Sequence, residues 1–448
     1  MKTRPLVFTA AISLLLASGA ANAQTARFAC GGSPPAPPPT ITPTFSKTSA
    51  DRTNLGFECM MWQNFIYLNW PATKGQRGMP DAKAKFGGPG ATVWETYKTI
   101  PQTFLPDAKD PGPWNAAQLT ATLARPLAMR VSQGEVRSLT ATSKISRPVV
   151  ANVALRAASN PVALNEIIQA GGGTLYDLNG LPVYYEVAMN RDQYQYIQQN
   201  KLYNAVEQLA FATNNVISLP IEPGQYGTMG ALELKAAWKV LSAGEAKSNR
   251  FHTTQALLPG NKQPVTVGLV GFHIFMSGFG GQGVWATFAQ IDNAPVQGGP
   301  TTGKYNFYNP NCPPAQCPVN VENANPGQVI QITPDESSSP QLNTYMQNLI
   351  KTYNPKTPWQ FYKIVNIQWP VQPVPLSTLK APADAPLPDG SPNSQTVVNP
   401  VLETFQQLPG TGCLACHTGA TVAAVGKDVK NYATSYSFMF GHATAPPK

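Results

Sequence analysis

The sequence predicts an α+β, β-rich fold in which a large antiparallel-sheet body carries a few helices and a C-terminal helical segment. Only 12% of the 448 residues are charged and 42% are hydrophobic, so the chain can bury a sizeable core. The 44 prolines and 36 glycines are typical of a protein rich in loops and turns. Several short segments also carry the alternating or continuous apolar pattern of strands.

The clearest strands are predicted in the middle of the chain. Apolar and charged residues alternate over Leu232–Val240, which indicates a half-buried strand. Val265–Met276 is apolar on both faces and predicts a central strand, and Val284–Ile291 predicts another. Asn179-Gly180 lies between two strand-like runs and favours a hairpin turn.

Helices are predicted at three places. The apolar spacing over Tyr194–Leu209 is approximately helical, and Pro340–Ile350 opens with a proline near its first turn. Asn399–Leu408 predicts a short helix that leads into a cysteine motif. The aromatic runs Leu55–Trp70 and Trp359–Ile367 favour core packing over a ligand wall.

The first 23 residues have the pattern of a cleavable export signal. Lys2 and Arg4 precede the apolar run 6–17, and Ala21-Asn22-Ala23 is a small-x-small cleavage site before Gln24. We therefore expect a periplasmic protein, with no membrane span because no later segment approaches 20 apolar residues. The formal charge of +9 comes without a Lys/Arg run, so no nucleic-acid partner is expected.

Export makes a disulfide the default state of a cysteine. Cys312 and Cys317 bracket a four-residue loop that a local disulfide can close. Cys30 and Cys59 are the natural second pair, which would tie the Pro-rich start to the first aromatic segment.

Cys413-Leu414-Ala415-Cys416-His417 is a C-x-x-C-H sequence, the attachment motif of c-type haem. Two thiols on one helical turn can bond the two vinyl-derived carbons of the porphyrin, and the following histidine can then bind iron as proximal ligand. Gly410 and Gly412 allow close approach of backbone to the macrocycle. A redox-active C-x-x-C or half of a zinc site fits less well, because the motif lacks a βαβ context and further ligands.

The sixth iron ligand is predicted downstream of this motif. We expect His442 first and Met439 second, with an open or remote ligand as the third alternative. Of the other histidines, His273 lies in an apolar run and predicts a hydrogen-bonded core residue. His252 lies in a polar stretch and predicts a surface residue.

The motif and its flanks resemble c-type cytochromes, although small class I cytochromes carry C-x-x-C-H near the start of the domain. The segments 267–274, 285–288, 291–293 and 437–440 are also similar to a group of exported proteobacterial proteins described as cytochrome c family proteins. This resemblance implies one haem per chain and an exported location, and it implies no substrate.

Only 31 residues follow His417, too few to bury a haem alone, so we expect the haem-attachment segment to pack on the rest of the chain. The predicted organisation is a signal peptide (1–23), a Pro-rich N-terminal segment (24–50), a β-rich main domain (51–370), a Pro-rich linker (371–398) and the haem-attachment segment (399–448).

These features predict a periplasmic monohaem c-type cytochrome that transfers electrons to a redox partner protein. A haem enzyme, peroxidase-like or oxygen-activating, with a substrate pocket in the main domain is the alternative, and a haem-based sensor is the third. No hydrolase, P-loop, zinc-protease or EF-hand motif occurs, and the substrate and the partner stay open.

Overall fold

The structure is a computed structural model that describes residues 54–116, 136–141, 173–221, 230–313, 315–332, 335 and 339–447. The predicted signal peptide (1–23), the Pro-rich segment (24–50) and Cys30 lie outside the described residues. None of the helices within the described ranges is long and apolar enough to cross a membrane.

An eight-stranded sheet forms the body of the described chain, which confirms the predicted α+β, β-rich class. Its order is β1-β3-β4-β6-β5-β2, with β7 joining β6 to β8. The sheet is mixed because β2 and β5 run parallel, whereas the other pairs are antiparallel. The strands are β1 (Lys98–Thr99), β2 (Val136–Ser138), β3 (Tyr184–Met189), β4 (Leu232–Val240), β5 (Thr253–Leu257), β6 (Val265–Met276), β7 (Val284–Gln290) and β8 (Tyr362–Gln368).

Strand β6 is the centre of this sheet. Its twelve residues pair with β4 along one edge, and with β5 and then β7 along the other. Other parts of the chain pack against both faces of β6, which explains why the β6 sequence is continuously apolar. The predicted strands at 232–240, 265–276 and 284–291 are all confirmed.

Seven helices accompany the sheet in the described residues. They are α1 (Asn54–Leu68), α2 (Ile100–Thr103), α3 (Arg191–Gln199), α4 (Ala205–Asn214), α5 (Ala243–Lys247), α6 (Ser339–Tyr353) and α7 (Cys413–His417). The helix predicted at Pro340–Ile350 is therefore α6. The stripe Tyr194–Leu209 divides between α3 and α4, because Asn204 caps a new helix with its side chain. Asn399–Leu408 contains only the 3₁₀ turn Thr404–Gln406.

Aromatic packing attaches α1 to one face of the sheet. Phe65 stacks on Phe288 with ring centroids 4.4 Å apart, and Trp62 meets the same ring edge-on at 5.1 Å. The aromatic run at 55–70 is therefore core, as predicted. Because α1 and α6 cover this face, the other face must be covered by later parts of the chain.

The segment 371–398, predicted as a Pro-rich linker, lies against the body. It buries Leu376, Leu387 and Val397, and the Gln282 side chain donates a hydrogen bond of 2.8 Å to the Pro388 carbonyl. This segment leads the chain back over the sheet to α7.

Cys312 and Cys317 form the predicted disulfide. Cys59 is also disulfide-bonded. Since Cys30 lies outside the described residues, the pairing of Cys30 with Cys59 stays a prediction.

A buried ionic network joins β2, β3 and the loop before β5. Arg137 forms a bidentate ion pair with Glu186 and donates to the Glu95 carbonyl. His252 Nε2 lies 3.1 Å from Glu95 Oε1, and the His252 ring stacks on Trp359 at 4.4 Å. The expectation that His252 is a surface residue is therefore wrong, because its ring is buried against Trp359 and hydrogen-bonds to Glu95.

A substitution of Glu95 tests how much this network stabilises the fold. Burial raises the pKa of this carboxyl, but His252, Arg137 and the Thr92 amide outweigh burial and hold it below the ordinary value of 4.5. We expect Glu95→Gln to lower the free energy of unfolding by about 2 kcal/mol at neutral pH, because it removes a buried carboxylate that contacts His252 and accepts a hydrogen bond from the Thr92 amide. Urea unfolding measures this difference.

A carboxyl with a depressed pKa stabilises the fold above its unfolded pKa, and this stabilisation is lost as the pH falls through the folded pKa. The difference between parent and Glu95→Gln should therefore shrink below pH 4.5. The control is Asp428→Asn, which breaks the exposed Asp428–Lys430 pair and should change stability by less than about 1 kcal/mol. A pH-independent difference for Glu95→Gln would contradict the assignment.

Candidate cofactor site

A cavity that is partly open to solvent lies between the sheet and the C-terminal part of the chain. We call it the C-terminal cavity. Its lining comes from α2, four strands of the sheet, α7 and the 3₁₀ turn Phe438–His442. The chemically important lining residues are Glu233, Lys235, His273, Trp285, Glu403, Cys413, Cys416, His417, Phe438, Met439 and His442.

Helix α7 is fixed to the end of β8 by one glutamine. The Leu414 amide donates a hydrogen bond of 2.7 Å to Gln368 Oε1, and the Leu414 side chain is fully buried. A Cβ atom on Gly412 would lie 2.5 Å from Gln368 Nε2, so Gly412 makes room for this glutamine. The sequence predicts that Gly412 lets the backbone approach a macrocycle. In the structure, Gly412 instead lets the backbone approach the Gln368 side chain.

The single turn of α7 brings Cys413, Cys416 and His417 to the C-terminal cavity together. Both cysteines are present as thiols, whereas Cys312 and Cys317 are oxidised. Two thiols and one imidazole therefore line the same space, as their spacing predicts.

His417 is oriented by a backbone carbonyl. Its Nδ1 lies 2.6 Å from the Tyr436 oxygen, and because a carbonyl only accepts, Nδ1 carries the proton. The lone pair is then on Nε2, the nitrogen that can bind a metal, and such a partner is typical of metal-binding histidines. Trp285 and Phe438 hold the ring, with centroids 4.3 Å and 5.0 Å away.

Both predicted distal candidates line the C-terminal cavity. Met439 is buried, and its sulfur accepts a hydrogen bond of 3.4 Å from Gln193 Nε2. His442 lies 6.5 Å from the Phe104 ring, and burial lowers its pKa to about 4. His442 is therefore neutral at neutral pH, with a nitrogen lone pair. The geometry brings both residues to the cavity.

The sheet supplies two rows of side chains to this cavity. Strand register puts Glu233, Phe275 and Trp285 side by side in one row. The next row contains Val187, Lys235 and His273, two residues further along the strands. The cavity therefore extends across β7, β6, β4 and β3.

Glu233 anchors the segment that follows α7. It accepts hydrogen bonds from Ser437 Oγ at 2.5 Å and from Gln193 Nε2 at 3.0 Å. Burial raises its pKa, which these two hydrogen bonds and Lys235 only partly offset. Tyr436 contacts His417 above β7, and Ser437 contacts Glu233 on β4. The chain after α7 therefore runs along the row formed by Trp285, Phe275 and Glu233.

His273 is hydrogen-bonded, as predicted, but it lies at the cavity and not in the core. Its Nε2 lies 3.0 Å from Glu403 Oε1, and Glu403 also accepts from the Asn399 amide at 2.9 Å. The expected hydrogen bond exists, but the ring lines the C-terminal cavity as well. The sequence did not predict that Glu233, Lys235 and Glu403 line this cavity. The alternating charges on β4 did indicate that one face of this strand is not part of the hydrophobic core.

This arrangement can hold a planar, redox-active macrocycle. The thiols can form two thioether bonds at one edge, and His417 Nε2 can coordinate a central iron. Aromatic and aliphatic side chains line the space beside these groups. The residues present therefore fit a c-type haem.

The chain matches no known protein-family model, and no curated protein and no solved structure is detectably similar to it. The resemblance to c-type cytochromes is consequently carried by the C-x-x-C-H motif and its flanks.

Proposed function

We propose that the chain is a periplasmic c-type cytochrome that holds one covalent haem in the C-terminal cavity and transfers electrons to a redox partner protein. The observation that carries this proposal is the position of His417, whose Nδ1 is bound by the Tyr436 carbonyl while Cys413 and Cys416 line the same cavity. A structural histidine needs neither the two thiols nor the cavity.

Each residue has a defined task in this function. Cys413 and Cys416 attach the porphyrin, and His417 ligates the iron, oriented by the Tyr436 carbonyl. Trp285 and Phe438 flank the imidazole and limit its rotation. When bound, the haem supplies one-electron redox chemistry at a potential set by the axial ligands and the burial of the site.

The Cys312–Cys317 disulfide supports the exported location, because such bonds persist in oxidising compartments. The two thiols of α7 are what a haem-attachment motif needs before maturation. The surplus of basic residues suits an acidic partner protein.

Removal of the thioether donors tests the haem assignment. After expression with the c-type maturation machinery, the parent should retain haem through denaturation and show a c-type α-band on reduction. Cys413→Ala with Cys416→Ala should lose all covalent haem. The matched control is Cys312→Ala with Cys317→Ala, which removes the other cysteine pair and should keep it. A parent without covalent haem would refute the proposed function.

Two single variants name the sixth ligand. We expect His442→Ala to turn six-coordinate, low-spin iron into high-spin iron that binds carbon monoxide readily, because a second imidazole is lost. Met439→Ala should leave the iron low-spin and slow to bind carbon monoxide. Absorption and electron paramagnetic resonance spectra measure both effects, and the reverse result would assign Met439.

A haem enzyme is the second candidate, and the polar lining of the cavity favours it. Lys235 and the hydrogen-bonded pair His273–Glu403 lie beside the space that the haem would fill. An electron carrier does not need such groups, whereas a peroxidase uses an acid or base beside the iron.

Peroxide separates these two functions. If the parent binds carbon monoxide and oxidises a dye with peroxide, His273→Ala should lower that rate by about 10²- to 10⁴-fold, as expected for a lost general acid–base residue. Without turnover by the parent, the enzyme hypothesis fails. Tight gas binding without turnover would favour a sensor.

A further inference from the structure

The 3₁₀ turn Phe438–His442 presents its two candidate ligands to the C-terminal cavity unequally. His442 is half-buried, whereas Met439 is only 1% exposed. The Met439 sulfur accepts a hydrogen bond of 3.4 Å from Gln193 Nε2. Gln193 belongs to α3, is fully buried and is not among the described residues that line the cavity. The sulfur is therefore bound from outside the cavity.

Gln193 is itself fixed at its backbone and at its side chain. Its backbone amide donates a hydrogen bond of 3.2 Å to Asn190 Oδ1, the cap of α3, and the same oxygen accepts from the Leu232 amide at 3.0 Å. Its Nε2 also donates to Glu233 Oε2 at 3.0 Å. A side-chain amide nitrogen has two hydrogens to donate, and here Glu233 and Met439 accept them. These bonds join α3 to the start of β4 around one buried amide.

The turn that carries Met439 is fixed at its backbone. Ser437 Oγ accepts a hydrogen bond of 3.3 Å from the Met439 amide, and Gln208 Nε2 donates one of 3.2 Å to the Phe440 carbonyl. With the backbone held on both sides of Met439, its sulfur can move only by rotation of the side chain. Rotation would break the bond to Gln193 and leave a buried N–H without this acceptor, which costs free energy.

We propose that Gln193 holds the Met439 sulfur away from the haem iron and thereby leaves His442 as the sixth ligand, an inference that rests on the proposed function. A thioether binds iron through the sulfur, which here faces the N–H of Gln193 on α3. Two imidazoles give a lower reduction potential than one imidazole with one thioether. Gln193 is then a positioning residue that sets the potential through Met439.

The test opens the sixth position and measures whether Met439 fills it. In haem-loaded His442→Ala the iron should be high-spin, because Gln193 still holds the sulfur. In His442→Ala with Gln193→Leu the sulfur loses this donor, so the iron should become low-spin and show the charge-transfer absorption of methionine-bound ferric haem. The reduction potential of this double variant should lie above that of the parent. Addition of Met439→Leu should abolish the absorption and the low-spin state.

Two matched controls separate loss of the sulfur contact from a loosened structure. Ser437→Ala removes a side-chain anchor of the same turn and keeps Gln193. Gln198→Leu changes another glutamine of α3, whose side chain bonds to Asp110. Combined with His442→Ala, each control should leave the iron high-spin. If Gln193→Leu does not fold, Gln193→Ala takes its place, because it also removes the donor.

The outcomes separate the two proposals. Covalent haem with high-spin iron in His442→Ala with Gln193→Leu would overturn the role of Gln193 and leave the proposed function intact. Low-spin iron in His442→Ala alone would do the same, since another ligand would then bind despite Gln193. The methionine absorption in either control would also overturn it, because a loosened structure would then be enough. A parent without covalent haem would overturn both proposals.

Discussion

The constraint on which the structure depends is the need to cover both faces of the sheet around β6. On one face, the aromatic side chains of α1 fill the space, with Phe65 and Trp62 against Phe288. On the other face, Val401 and Leu402 pack over Gly271, where a Cβ would come within 2.7 Å of Val401. The cover that Val401 and Leu402 provide ends before His273, and the C-terminal cavity begins there.

The candidate site follows from this incomplete cover. The short α7 contributes few residues of its own, so the sheet provides most of the cavity wall. Trp285 on β7 holds the His417 ring, and Glu233 on β4 holds Ser437. Ser437 follows Tyr436, whose carbonyl orients His417. The orientation of His417 therefore depends on Glu233 of β4, which lies about 180 residues earlier in the sequence.

Local patterns predicted the strands and the attachment motif, because alternation and C-x-x-C-H spacing are encoded within a few residues. The contacts between residues far apart in the sequence were not predicted. Lys235 meets His273 only through the register of β4 on β6, and Glu403 reaches His273 from 130 positions away. His252 was misplaced for the same reason, since its partner Glu95 is 157 positions distant and nothing in its neighbourhood indicates burial.

The polar lining of the cavity is difficult to explain by stability alone. A partly buried charge is stabilised only when its partners make up for lost hydration, and apolar residues of similar size often serve a fold as well. This chain uses few charged residues, yet Glu233, Lys235 and Glu403 all face one cavity beside His273. A wall that only shielded haem would be apolar. Charges at this place are therefore better explained by what the cavity must bind, and they are where an electron carrier and an enzyme built on this sheet would differ.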